Sequence, residues 1–273
     1  MTKQTSGIIV LTAIFLLLAL SAEASIIRVP DEYKTISEAI DAAEPGAIII
    51  VASGTYSENI TITKPVFLRS SRGAKKTIIT AADADKPTIH IKEAKNVTIL
   101  AFTVKGSTLA GVLVEKNRDL KIILSNVTEN ENGVLILNTK KCSIYGNHFD
   151  SNNSYGLYLN KASSCVIKEN SISRNNDKGL FLFSSHDNAI LNNKMNMNKW
   201  NGMLIWSSNN NTIKNNHTLR NMFGYVTGES SDNDVSNNTS LPDLFLILPI
   251  LLIYLGFIFY LIQMYIFKMI YGR

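Results

Sequence analysis

The sequence predicts an all-β fold. It is a parallel β-helix solenoid of about eight coils, opened by a short capping helix and followed by a C-terminal transmembrane helix. Three observations carry this reading. First, from Cys142 to Asn233 the chain divides into four lines of 23 residues that match by type, position by position. A period of that length means a solenoid or an array. Second, the residues one and three places after each repeat glycine are mostly apolar: Val134 and Ile136, Leu157 and Leu159, Leu180 and Leu182, Met203 and Ile205. That two-residue period is the signature of a strand. Third, like residues form columns. Ile144, Ile167, Ile190 and Ile213 make one, and Asn147, Asn170, Asn193 and Asn216 another. Stacked ~4.8 Å apart, such columns bury a continuous core, with the asparagine amides bonded from coil to coil.

Taken in order, residues 1–24 read as a secretory signal. Lys3 supplies a basic start, Ile8 to Leu20 is apolar except for Thr12, and Ala22-Glu23-Ala24 is a small-x-small cleavage site. Residues 25–240 form the ectodomain. Thr35-Ile-Ser-Glu38 is a capping box, and Ile36, Ala39, Ile40 and Ala43 share one helical face, so residues 35–44 are expected to cap the open end of the stack. Less regular strand segments follow from Ala47 to Leu100, and regular repeats of ~23 residues occupy 111–239. Leu244 to Phe267 carries no charge over 24 residues, long enough to span a bilayer, and residues 268–273 carry Lys268 and Arg273. The expected topology is single-pass, with the ectodomain outside or periplasmic and the tail cytoplasmic.

The segments Tyr33-Lys-Thr-Ile-Ser-Glu-Ala-Ile40, Gly54-Thr-Tyr-Ser-Glu58 and Ile60-Thr-Ile-Thr-Lys-Pro65 resemble the start of secreted right-handed β-helix proteins, including pectin-esterase-like and NosD-like ones. The later Asn-rich, Gly-apolar-x-apolar coils resemble the NosD-like and carbohydrate-binding/sugar-hydrolase repeat, which shares the pectin lyase fold. The resemblance covers about residues 26–240 and implies a right-handed solenoid. It implies three functions: carbohydrate or protein binding at the cell surface, polysaccharide lyase or hydrolase activity, and service to a periplasmic copper enzyme. Copper is implied by that family analogy alone.

The residues themselves narrow these classes. The net charge of +5 shrinks once the terminal segments are set aside, and no basic stripe with interleaved aromatics is present, which argues against nucleic acid as a partner. No two carboxylates share a column in neighbouring regular coils, so no catalytic pair is identified; Asp150, for example, stacks on Ser173 and Asn196. His148 and His217 share a column three coils apart, ~14 Å, too far for one metal ion, and Met195 belongs to an apolar column. No metal site and no cofactor follow. Cys142 and Cys165 lie one period apart, within the reach of a disulfide, the other arrangement being two stacked thiols. Asn188 and Asn211 share their column, which reads as a turn position outside the core. The outward strand positions hold Tyr158, Phe181, Phe183, Leu204 and Trp206, an apolar and partly aromatic band. Such bands either lie beneath a covering segment or mark a contact site, here for a polysaccharide or a cell-surface protein.

Overall fold

Corners decide how this chain winds. In the coil from Lys141 to Ser163 the backbone enters the left-handed region at Lys141, Gly146, Ser151 and Lys161, and the same positions recur in later coils. For residues other than glycine that conformation costs about 1–2 kcal/mol each, so something must offset it. In nearly every coil the next residue points inward and is small, polar or both: Cys142, Asn147, Asn152 and Ala162 are at most 3% exposed. The corner thus turns the strand and plants a buried side chain in one step.

These corners generate three parallel sheets in a computed structural model that describes residues 24–271. The predicted signal lies outside them but for Ala24. One sheet has ten strands running from Ile26–Val29 to Asp234–Ser236, a second has eight from Ile60–Ile62 to Phe223–Gly228, and a third has six from Gly54–Ser57 to Ser171–Ser173. Single bridges at Lys194 and a final pair, His217–Asn221 with Thr239–Pro242, prolong the third. The stack makes about nine turns, one more than expected, because the irregular N-terminal segments also close complete coils. The predicted columns are in register: Ile144 pairs with Ile167, Ile167 with Ile190, and Ile190 with Ile213, all fully buried.

The asparagine column is a hydrogen-bonded ladder. Each Asn Oδ1 accepts from the backbone N–H and the Nδ2 of the asparagine before it, as Asn170 does from Asn147, both at 2.9 Å. Each Nδ2 also reaches a carbonyl, that of Ile144 at 2.8 Å for Asn170. Two further ladders were not anticipated. One runs Asn130, Asn152, Asn175, Asn198 and Asn221. The other runs Asn188, Asn211 and Asn233. The cysteine column is the upper part of this last ladder and belongs to the core, correcting the reading of it as a turn outside. Cys142 and Cys165 are buried with Cα atoms 4.3 Å apart and their sulfurs in bonding contact. We expect Asn170→Ala to destabilise by at least about 2 kcal/mol, since it orphans several buried donors and acceptors. Asn176→Ala, at an exposed position, should leave thermal melting unchanged, and equal melting of the two variants would contradict the ladder.

The repeat glycines answer to the same ladders. A Cβ on Gly179 would lie 2.6 Å from both the Asn198 Nδ2 and the Gly202 carbonyl oxygen. No side chain fits there, which is why glycine recurs with the period.

At the N-terminal end the helix Ile36–Ala42 buries Ile36, Ala39 and Ile40 on the first coil, and its capping box is formed by Thr35 and Glu38. Glu58 clamps it from the next coil by accepting from the backbone N–H of Ile36 and Ser37, both at 2.9 Å. At the other end, Leu244–Tyr271 is a single helix, four residues longer than expected.

Candidate functional site: the outer face of the eight-stranded sheet

Strands Leu157–Asn160, Leu180–Phe183 and Asn201–Trp206 place the five predicted band residues side by side. Tyr158 pairs with Phe181 and Phe181 with Leu204, while Phe183 pairs with Trp206. The Tyr158 and Phe181 rings stack with centroids 5.0 Å apart, and Phe181 and Phe183 meet at 6.1 Å. The first column continues through Leu135 and Leu113 to His90, so the band grades into a polar end where His90 Nε2 and Glu115 Oε2 are 2.7 Å apart.

Among the described residues, no segment lies over the band. Trp206 is 37% exposed, and the described side chains of the C-terminal helix are exposed rather than packed on the coils. The rings shield one another, which is why the rest are half-buried.

Several contributors were missed in the sequence. Tyr155, just before its strand, folds onto the band with its ring 5.3 Å from Tyr158 and 5.9 Å from Phe181. Lys178 Nζ sits 5.3 Å from the Tyr155 centroid and 5.7 Å from that of Phe181, a cation–π arrangement, while also pairing with Asp177 at 2.8 Å. Burial, then the Asp177 carboxylate, pushes the Tyr155 phenol above its usual range. Burial is also the main cause raising that of Tyr158. Glu229 fixes Trp206 by accepting from its Nε1 at 3.1 Å and from Ser207 Oγ at 3.0 Å. The indole lies flat against Gly228, where a Cβ would come 2.5 Å from Trp206 Cε3. Trp200 and Phe223 stack nearby at 6.2 Å, both largely exposed. A further signal would have been the aromatic residue just before two of the repeat glycines, Tyr155 before Gly156 and Phe223 before Gly224.

A second concavity, of about 420 Å³, lies over the six-stranded sheet and is lined by polar side chains including Asn126, His148, Asp150, Ser171 and Arg174. Its carboxylate is engaged: Arg174 Nη2 lies 2.7 Å from Asp150 Oδ1. The imidazoles are scattered. Ser171 and Lys194 separate His148 from His217, and His186 Nδ1 accepts from the backbone N–H of Asn209. Met195 is fully buried. No group of three or more His, Cys, Asp or Glu side chains able to hold a metal ion occurs among the described residues.

Comparison with known proteins matches residues 87–240 to the family described as "Right handed beta helix region". A cell surface glycoprotein of Methanothermus fervidus is 40% identical over 88 residues, 32% of this chain and 14% of that protein. Among solved structures, the catalytic domain of a GH87 alpha-1,3-glucanase in complex with nigerose superposes with a TM-score of 0.62 at 15% identity, over 71% of this chain and 39% of the other. The periplasmic alginate epimerase AlgG superposes with a TM-score of 0.53 at 13% identity, over 72% of this chain and 59% of the other. The chain therefore spans less than two thirds of each of these relatives. At such identities the structural likeness is one of fold.

Proposed function

The chain belongs to the right-handed β-helix family, a scaffold whose inward columns are constrained and whose outward faces are not, and we propose that it is a membrane-anchored cell-surface protein that holds an extended glycan on the outer face of its eight-stranded sheet. The observation that carries this is the uncovered aromatic band from Tyr155 to Trp206, built across three coils. Its columns repeat every ~4.8 Å along the solenoid axis, so it offers a long, nearly flat surface. The apolar faces of sugar rings stack on such a surface, and a small compact ligand gains little from it. The nearest charges are largely spoken for: Lys178 by Asp177, and Glu229 by Trp206 and Ser207.

The name of the Methanothermus fervidus relative and the glycan-active titles of the structural neighbours support the same setting. The helix contains a span, Leu248–Met269, with a mean hydropathy of 2.2, sufficient by length and composition to cross a bilayer. Lys268 in its last turn favours a cytoplasmic end there. Protease added to intact cells should accordingly remove the coils and spare a tag placed after Arg273; digestion of the tag from outside would reverse the topology.

The binding reading is tested by a polysaccharide panel probed with the full-length protein in detergent, together with analysis of the recovered glycans. Retention on extended polysaccharides, with weak affinity for mono- and disaccharides and no shortening of the chains, is the expected result. Shortened chains would make the protein a lyase or hydrolase. Retention of none of the panel would leave the band to a protein partner.

A further inference from the structure

The chain contains eight Asn-x-Ser/Thr triplets, at Asn59, Asn96, Asn126, Asn152, Asn210, Asn216, Asn237 and Asn238. The triplet alone makes each a candidate N-glycosylation acceptor, and the asparagine column already sets Asn216 apart as buried. We propose that the fold sorts them, and that Asn96, Asn210 and Asn237 carry N-linked glycan while the other five do not. The proposal rests on the outward placement of the coils argued above.

Five of the amides are occupied. Those of Asn152 and Asn216 lie inside the ladders, at most 1% exposed, with Nδ2 bound to Asn175 Oδ1 and Asn238 Oδ1 at 2.9 Å each. Asn238 Nδ2 donates to the Ile213 carbonyl at 2.7 Å, and its Oδ1 accepts from the Asn216 backbone N–H. Asn59 Nδ2 donates to the carbonyls of Asp83 and Pro87, both at 3.0 Å, and its Oδ1 accepts from the Asp83 N–H. Asn126 is half-buried within a strand and donates to Thr103 Oγ1.

The remaining three share a different setting. Asn96, Asn210 and Asn237 are exposed, and each takes a left-handed corner, with φ of 51°, 57° and 56°. Their side-chain amides make no hydrogen bond to protein among the described residues. In each case the sequon threonine, Thr98, Thr212 or Thr239, is the first residue of the next strand. Each corner adjoins a strand of the ten-stranded sheet: Asn96 and Asn210 just before one, and Asn237 just after one.

The reaction needs a free amide. Nδ2 bonds to C1 of the first sugar, the C1–O bond to a lipid-linked phosphate donor breaks, the lipid phosphate leaves with the electron pair, and the amide proton passes to base. An Nδ2 held in a ladder cannot be presented this way without uncoiling the stack, and a glycan attached there would prevent its reclosure.

The test is to produce the full-length chain in a membrane system containing an oligosaccharyltransferase, with a flexible tag bearing one extra sequon inserted after Ala24. Occupied sites in the protease-resistant, folded fraction are then mapped by mass spectrometry. The tag and all three corner asparagines should be modified, and Asn96→Gln, Asn210→Gln and Asn237→Gln should each remove one glycan. Modification of Asn59, Asn126, Asn152, Asn216 or Asn238 in folded protein overturns the proposal. So does modification of the tag alone, which would leave the topology intact. If the tag too is unmodified, the outward placement fails and the proposal falls with it.

Discussion

Ile190→Asp should prevent the regular coils from forming a stable stack. Ile190 is fully buried between Ile167 and Ile213 on the coils before and after it. A carboxylate there would have no partner: its neighbours are aliphatic, and the backbone around it is already committed, with the Ile190 carbonyl accepting from Asn216 Nδ2 at 2.8 Å. Burying an unpaired charge costs several kcal/mol even after relaxation. Because each coil touches only its neighbours, the damage should spread from this coil rather than stay in one side chain. Ile190→Val, which removes a single methylene, should cost only about 0.5–1.5 kcal/mol. Urea or thermal unfolding checks both, and an aspartate variant that melts with the parent would show that this column does not face inward.

The architecture was legible because a parallel coil converts spacing into stacking. Two residues 23 apart become neighbours, so the isoleucine and Asn147 columns could be aligned by counting. The other two ladders escaped because runs such as Asn152-Asn153 and Asn175-Asn176 do not say which member turns inward. That choice is made by the residue before, since the left-handed corners at Ser151 and Arg174 reset the in–out alternation. The cysteine column was misplaced for the same reason: Lys141 and Ser164 are the corners, and the residues after them are core. At the candidate site, the strand alternation placed Tyr158, Phe181, Phe183, Leu204 and Trp206 correctly on one outer face. Tyr155, Lys178 and Glu229 lie outside the alternating positions of their strands, and their contacts depend on turn geometry and on long side chains reaching across coils. Counting cannot supply those.

The central claim is that the outer aromatic face recognises a ligand and is not core. Phe183 and Trp206 stand in one column on adjacent coils, and neither ring enters the solenoid interior. A buried aromatic anchor at the centre of a contact is typically worth 2 kcal/mol or more. The double variant Phe183→Ser with Trp206→Ser should therefore lose at least about 30-fold in affinity for whichever extended glycan the parent retains. Its far-ultraviolet circular dichroism should remain that of the parent, and its melting should fall only slightly, by the packing the two rings make on the outer face. The most direct measurement is a paired titration of parent and double variant, in detergent, against that glycan, with a melting curve taken on each sample. Loss of binding by a variant that still melts cooperatively, close to the parent, is the predicted result. Unfolding of the double variant, or unchanged affinity, would contradict the assignment of this face as the recognition site.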